Sequence, residues 1–157
     1  HNDQKLFEML ILEGFQAGLS WLTILKKRAA FRAAFDNFEP AVVAEYGPKK
    51  VEALMENAGI VRNRRKILAA IQNARVFLHI QEEFGSFDHY LWSFTEGKII
   101  VNTDDVFPTR SELSDRLSRD LKHRGMSFVG TTIIYSFLQA VGVVNDHELS
   151  CFCHPGH

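Results

Sequence analysis

The sequence predicts an all-α protein in a single compact domain, and three observations carry that reading. Apolar residues recur at helical spacing through most of the chain. Glycine and proline fall between those stretches and act as breaks. Only Gly97–Arg110 has extended character, with the β-branched run Ile99, Ile100 and Val101 followed by a loop at Thr103–Pro108. A chain of 157 residues, 46% apolar and 24% charged, is long enough to bury a real core. No run is long and apolar enough to span a bilayer, so no membrane role is expected. The net charge of −1 argues against non-specific polyanion binding as the main activity but leaves room for a local basic face. The two cysteines, Cys151 and Cys153, make no disulfide framework, which favours a reducing compartment. The chain opens on His1 without a methionine, so a further N-terminal segment is expected ahead of it.

Each element has a local reason. Asn2 or Asp3 can cap a first helix that is apolar nearly all round from Leu6 to Leu12, as a central helix must be. Ser20 caps a second, with Trp21, Ile24, Phe31 and Phe35 near one face and Lys26, Lys27, Arg28 and Arg32 largely elsewhere. Pro40 suits the first turn of a short helix over 40–46, which Gly47-Pro48 breaks. A fourth helix is predicted over 49–57, with Val51, Leu54 and Met55 inward. After Gly59 a long fifth repeats Ile67, Ile71, Ala74 and Leu78, making a helical hairpin over about 49–78. Gly85 ends that helix and a shorter aromatic one covers 87–94. Helices are then predicted over 111–124, ending at the basic Lys122–Arg124, and over 130–141 with Ile133, Ile134, Phe137, Leu138 and Val141 inward.

Three stretches carry chemistry. In Leu12–Trp21, Glu13 continues the face of Leu6, Met9 and Leu10 and so should point inward. A buried carboxylate must be hydrogen-bonded, paired, or reserved for a polar or cationic ligand. With Gly14, Gly18, Ser20 and Trp21 following, the stretch reads as one wall of a ligand pocket. The alternative is a glutamate satisfied by backbone amides in an ordinary helix–helix turn. In Asn57–Lys66 a glycine-started turn exposes backbone amides, around Gly59 and Val61, beside Arg62, Arg64, Arg65 and Lys66. Amides at a helix start plus cations are what a sequence-independent grip on a DNA backbone requires. A solvated basic patch is the alternative. In Asn145–His154, His147 and Cys151 stand at i, i+4, where a helical turn would bring imidazole and thiolate to one metal; a pair without metal is equally open.

Taken together, the blocks Leu12-Glu13-Gly14, Gln16-Ala17-Gly18-Leu19-Ser20-Trp21, Ala58-Gly59-Ile60 before Arg62, Phe128-Val129-Gly130-Thr131-Thr132 and Asn145-Asp146-His147 resemble the DNA-3-methyladenine glycosylase I family of bacteria, from about Lys5 to Cys151. The resemblance implies one domain over 1–157 of the helix-hairpin-helix glycosylase superfamily with a zinc-pinned terminus. It implies an enzyme of base excision repair that hydrolyses the N-glycosidic bond of 3-methyladenine in double-stranded alkylated DNA. Free 3-methyladenine is released and an abasic site is left. By position, Glu13 and Trp21 match the base-pocket acid and stacking indole. Gly18 and Leu19 match the segment that fills the gap in the duplex. His147 and Cys151 match two of four Zn2+ ligands; the other two, with a pocket tyrosine and a further tryptophan, are expected ahead of His1. No counterpart of an aspartate or Schiff-base lysine after the hairpin is found, which fits a monofunctional enzyme. A cytoplasmic, bacterial monomer is expected. A non-catalytic damaged-DNA recognition module and a helical protein-interaction domain are the rival readings.

Overall fold

The computed structural model describes residues 2–16, 18–101 and 111–145. Helix α1, Asp3–Gln16, runs through the middle and packs against four other helices, α2 (Trp21–Ala34), α5 (Arg64–Phe84), α6 (Phe87–Ser93) and α8 (Thr131–Ala140). Little of such a helix meets solvent: Lys5 is exposed, while Leu6, Phe7, Leu10, Ile11, Leu12 and Phe15 are all buried. Of the two capping candidates, Asn2 does the capping, its Oδ1 accepting from Gln4 N at 2.9 Å and Lys5 N at 3.3 Å. Asp3 reaches elsewhere. Its carboxylate accepts from Phe87 N, Asp88 N and the Gln81 side chain at 2.8–3.0 Å, pinning the start of α1 to the junction between α5 and α6.

Helix α2 covers Trp21–Ala34, α3 Pro40–Val43, α4 Pro48–Met55, α5 Arg64–Phe84, α6 Phe87–Ser93, α7 Glu112–His123 and α8 Thr131–Ala140. The short helices end earlier than their patterns predict. After Val43 the chain tightens to three-residue closures, Glu45 N to Val42 O and Tyr46 N to Val43 O, because Pro48 pushes Gly47 out of helical conformation. The same tightening after Met55 frees residues 56–63 to form the turn into α5. Gly85, at φ +87°, stops α5 where a side chain would be strained. Of the predicted extended stretch, Ile100–Val101 forms strand β1, and residues 102–110 lie outside the described ones. Its parallel partner β2, Val144–Asn145, was not foreseen, since a two-residue ladder carries no periodicity.

The core is rich in phenylalanine. Phe77 stacks on Phe87 at 4.3 Å and meets Phe7 edge-on at 5.1 Å, while Phe15, Phe31, Phe35 and Phe38 continue the cluster beneath α1 and α2. Full burial of each such side chain contributes roughly 1.5–3 kcal/mol. This core holds α1 rigidly enough to carry charged groups inside the protein.

Candidate active site

Two glutamates of α1 are buried, and their surroundings differ completely. Glu8, 5% exposed, accepts from Arg28 Nε at 2.9 Å and from Arg32 Nε at 2.7 Å. Burial alone would raise its pKa, but the two guanidinium groups outweigh burial and hold it below the usual carboxylate range. It clamps α1 to α2. The sequence reading put Arg28 and Arg32 mainly on the outer face, but both turn in to this carboxylate.

Glu13, 4% exposed, sits one turn from the end of α1 as predicted. Among the described residues it has no hydrogen-bond or ion-pair partner. Burial therefore acts unopposed and pushes its carboxyl up to about 7. The backbone-satisfied alternative does not apply. The desolvation of Glu13 is a cost that a cationic or hydrogen-bonding ligand could offset.

The turn after α1 sets the position of Trp21. Gly18 has φ +81°, a conformation glycine adopts without strain. Leu19 N donates to Gln16 O at 2.7 Å and the Gln16 side chain donates back to Leu19 O at 2.6 Å, closing a tight loop. Leu19 is left 38% exposed at its tip. Ser20 Oγ accepts from Thr23 N and caps α2, so Trp21 becomes the first residue of that helix, partly buried against the core. Acid and indole thus flank one turn, each on a helix fixed by the Glu8 clamp.

The hairpin between α4 and α5 is built around Asn57, whose Oδ1 accepts from Gly59 N at 2.8 Å. A β-carbon on Gly59 would lie 2.9 Å from Ala30 Cβ, so glycine is required for the turn to dock on α2. Asn63 Oδ1 caps α5 by accepting from Lys66 N at 3.1 Å. Arg62 and Arg65 face solvent, and Val61 is half-buried. Arg64 is also exposed, but its guanidinium pairs with Glu52 at 2.7 Å. Lys66 corrects the sequence reading. It is 9% exposed and its ammonium donates to Phe15 O at 2.9 Å, so it faces the end of α1 and not a phosphate backbone.

Two features of this region were not anticipated. Asn73, buried on α5, makes a two-way clasp on one backbone unit, donating to Ser127 O and accepting from Ser127 N, both at 2.9 Å. Next to it Phe128, at φ +57°, packs over Gly14 and under Arg65. Asn73 carried the same signal as Glu13, a polar residue on an otherwise apolar face between Ala70 and Ala74. His147 and Cys151 lie outside the described residues, and among the described residues no three His, Cys, Asp or Glu side chains gather around a point that could hold a metal.

Known proteins match this architecture over nearly its whole length. The methyladenine glycosylase family model matches residues 1–154. DNA-3-methyladenine glycosylase 1 of Escherichia coli (strain K12) is 49% identical over 159 residues, covering 99% of this chain and 85% of that protein. DNA-3-methyladenine glycosylase of Haemophilus influenzae is 43% identical over 155 residues, covering 97% and 84%. A solved structure of a Tyr-to-Phe variant of 3-methyladenine DNA glycosylase I, in complex with 3-methyladenine, superposes with a TM-score of 0.94 at 38% identity, covering 99% of this chain and 86% of that one. The helical architecture and these matches lead to one conclusion: the chain belongs to the methyladenine glycosylase family.

Proposed function

We infer that the chain is a DNA repair glycosylase that hydrolyses the N-glycosidic bond of 3-methyladenine in alkylated DNA, releasing the free base and leaving an abasic site. The observation in this molecule that carries the reading is the buried carboxyl of Glu13, which has no partner among the described residues.

The chemistry of the lesion explains why so little machinery is needed. An adenine methylated at N3 is cationic. When the C1′–N9 bond breaks, its electron pair moves onto the ring and the base departs neutral, while water forms the new bond to C1′ and gives up a proton. The leaving group needs no strong acid, so the enzyme's work is selection. A flipped base is cheapest when stacking is already weakened by damage. Trp21 offers an indole face on which a cationic ring gains more than neutral adenine. Glu13 adds a second filter. With its carboxyl near 7 when the pocket is empty, a cation beside it draws the group to its charged form, whereas neutral adenine leaves a desolvated carboxylate unopposed. Glu13 would then accept hydrogen bonds from the exocyclic amine and stabilise positive charge at the reacting centre.

The DNA itself would be held by two features. Gly18 and exposed Leu19 would fill the gap left by the flipped nucleotide, as apolar wedges do. The Gly59–Val61 turn, with Arg62 and Arg65 at the start of α5, would grip phosphates without reading sequence. Arg64 would have to leave Glu52 to join them. The α4–α5 hairpin supports placement in the helix-hairpin-helix superfamily. His147 and Cys151 would hold a structural Zn2+ with two further ligands; the described residues do not supply such a site, and no step of the reaction passes through it. One DNA-binding face of this kind suits a monomer working in a bacterial cytoplasm. No helix of the described residues is long and apolar enough to cross a membrane.

Release of free base from methylated duplex DNA tests the reading, with Glu13→Gln beside the wild type. A folded protein that binds methylated DNA and releases nothing would favour the recognition module instead.

A further inference from the structure

Of the four basic residues in Arg62–Lys66, three face solvent and one is folded inward. Drawing an ammonium into the protein is unfavourable, and burial pulls the pKa of Lys66 below its ordinary value. The structure shows what offsets this. The last carbonyls of a helix lack intrahelical donors. At the end of α1, Leu19 N takes the carbonyl of Gln16, and Lys66 Nζ takes that of Phe15, a residue 1% exposed. The cation also meets the negative end of the helix dipole.

The neighbouring residues hold the same turn. Asn73 lies seven residues after Lys66, on the same face of α5, and its clasp on Ser127 sets Phe128 against Gly14, with Phe128 Cβ 3.5 Å from where a Gly14 β-carbon would stand. Lys66, Asn73, Gly14, Phe15 and Phe128 line one cavity of about 10 Å³, room for a single water. So α5 holds the last turn of α1 directly through Lys66, and indirectly through Asn73 and Phe128. Glu13 is carried on that turn.

We propose that Lys66 is a positioning residue for base excision, fixing through the Phe15 carbonyl the direction in which Glu13 presents its carboxylate. This rests on the reading of Glu13 given above. Misplacing a catalytic group by an ångström costs about 10²-fold in rate. An ordinary helix cap would affect stability alone, so two further readouts separate the cases: the pH profile of excision, whose acidic limb reports Glu13, and the division of any loss between rate and DNA affinity.

Lys66→Met keeps the apolar stem and removes the donor. Single-turnover release of 3-methyladenine from methylated duplex DNA should fall by about 10–100-fold, with the acidic limb displaced and DNA affinity unchanged. Lys66→Arg, which restores a cationic donor, should recover both rate and limb. An unchanged rate and limb in folded Lys66→Met would overturn the proposal. So would a rate loss matched by lost DNA affinity, which makes Lys66 a phosphate contact, or a loss that follows the folded fraction with the limb unmoved. Should Lys66→Met not fold, Lys66→Gln, whose shorter neutral side chain withdraws the cationic donor from the Phe15 carbonyl, should show the same rate loss and displaced limb, and an unchanged rate and limb in it would overturn the proposal. A wild-type protein that releases no base sinks the functional reading itself, an outcome distinct from a loss confined to the variants.

Discussion

Replacing Glu13 by glutamine keeps the shape of a buried side chain and removes its charge. Wild-type Glu13 releases its proton near its ordinary value of 4.5 when unfolded and at about 7 when folded, because burial disfavours the carboxylate. Between those values the unfolded chain binds fewer protons than the folded one, so this group's contribution to stability falls as pH rises through the window. The interval corresponds to about 3 kcal/mol, fully lost above about pH 7. Glutamine cannot ionise and is spared the loss. At pH 4 the two proteins should therefore be nearly equal in stability, and at pH 8 Glu13→Gln should be more stable by about 3 kcal/mol. For a domain of this size that is about 6–12 °C in melting temperature. Thermal or urea unfolding at both pH values, without DNA, reads the difference directly. A gap that is the same at pH 4 and pH 8 would refute the idea that Glu13 is a desolvated acid without a partner. A more stable but inactive variant would show that the fold tolerates this acid for its chemistry.

Other perturbations probe the remaining parts. Trp21→Ala should weaken binding of free 3-methyladenine by about 1–3 kcal/mol, the usual worth of base–aromatic stacking, measured by titration calorimetry; unaltered affinity would remove the indole from the pocket. Arg62→Ala with Arg65→Ala should weaken DNA binding regardless of sequence and lower the salt slope of binding by about one per residue, whereas an unchanged slope would move the phosphate grip off this turn. Glu8→Gln should destabilise the protein by about 1–3 kcal/mol in chemical unfolding, since charged hydrogen bonds to Arg28 and Arg32 are lost. Metal analysis should find about one zinc per molecule in protein carrying all four ligands, lost in Cys151→Ser; zinc that survives the substitution would remove Cys151 from the ligand set.

Helices that bury a wide face were legible from spacing alone, because burial and the 3.6-residue period write the same pattern; α1, α5 and α8 illustrate this. Ends set by glycine, asparagine or serine caps were legible for the same local reason, as at Ser20 and Gly85. The pairing of β1 with β2 was not, since it joins residues far apart through two backbone registers and no side-chain pattern. In the site, the inward direction of Glu13 followed from its phase on α1. Its lack of a partner did not, because Glu8 stands on the same helix with a similar neighbourhood in sequence and is fully paired. Lys66 was grouped with Arg62 and Arg64 because adjacent cations look alike on paper. Its phase with Ile67 and Ala70 on a buried face of α5, and the open carbonyl of Phe15 opposite, turned it inward. Partnerships across elements are three-dimensional facts, and they decide which of several similar residues holds the fold and which awaits a ligand.

The most direct test of the account is to incubate wild-type protein and Glu13→Gln with methylated duplex DNA and measure the bases released. The account predicts free 3-methyladenine from the wild type, abasic sites left in the DNA, and a large loss of release in a folded Glu13→Gln variant. Equal release by the two proteins would contradict the role of the buried acid on which the site is built.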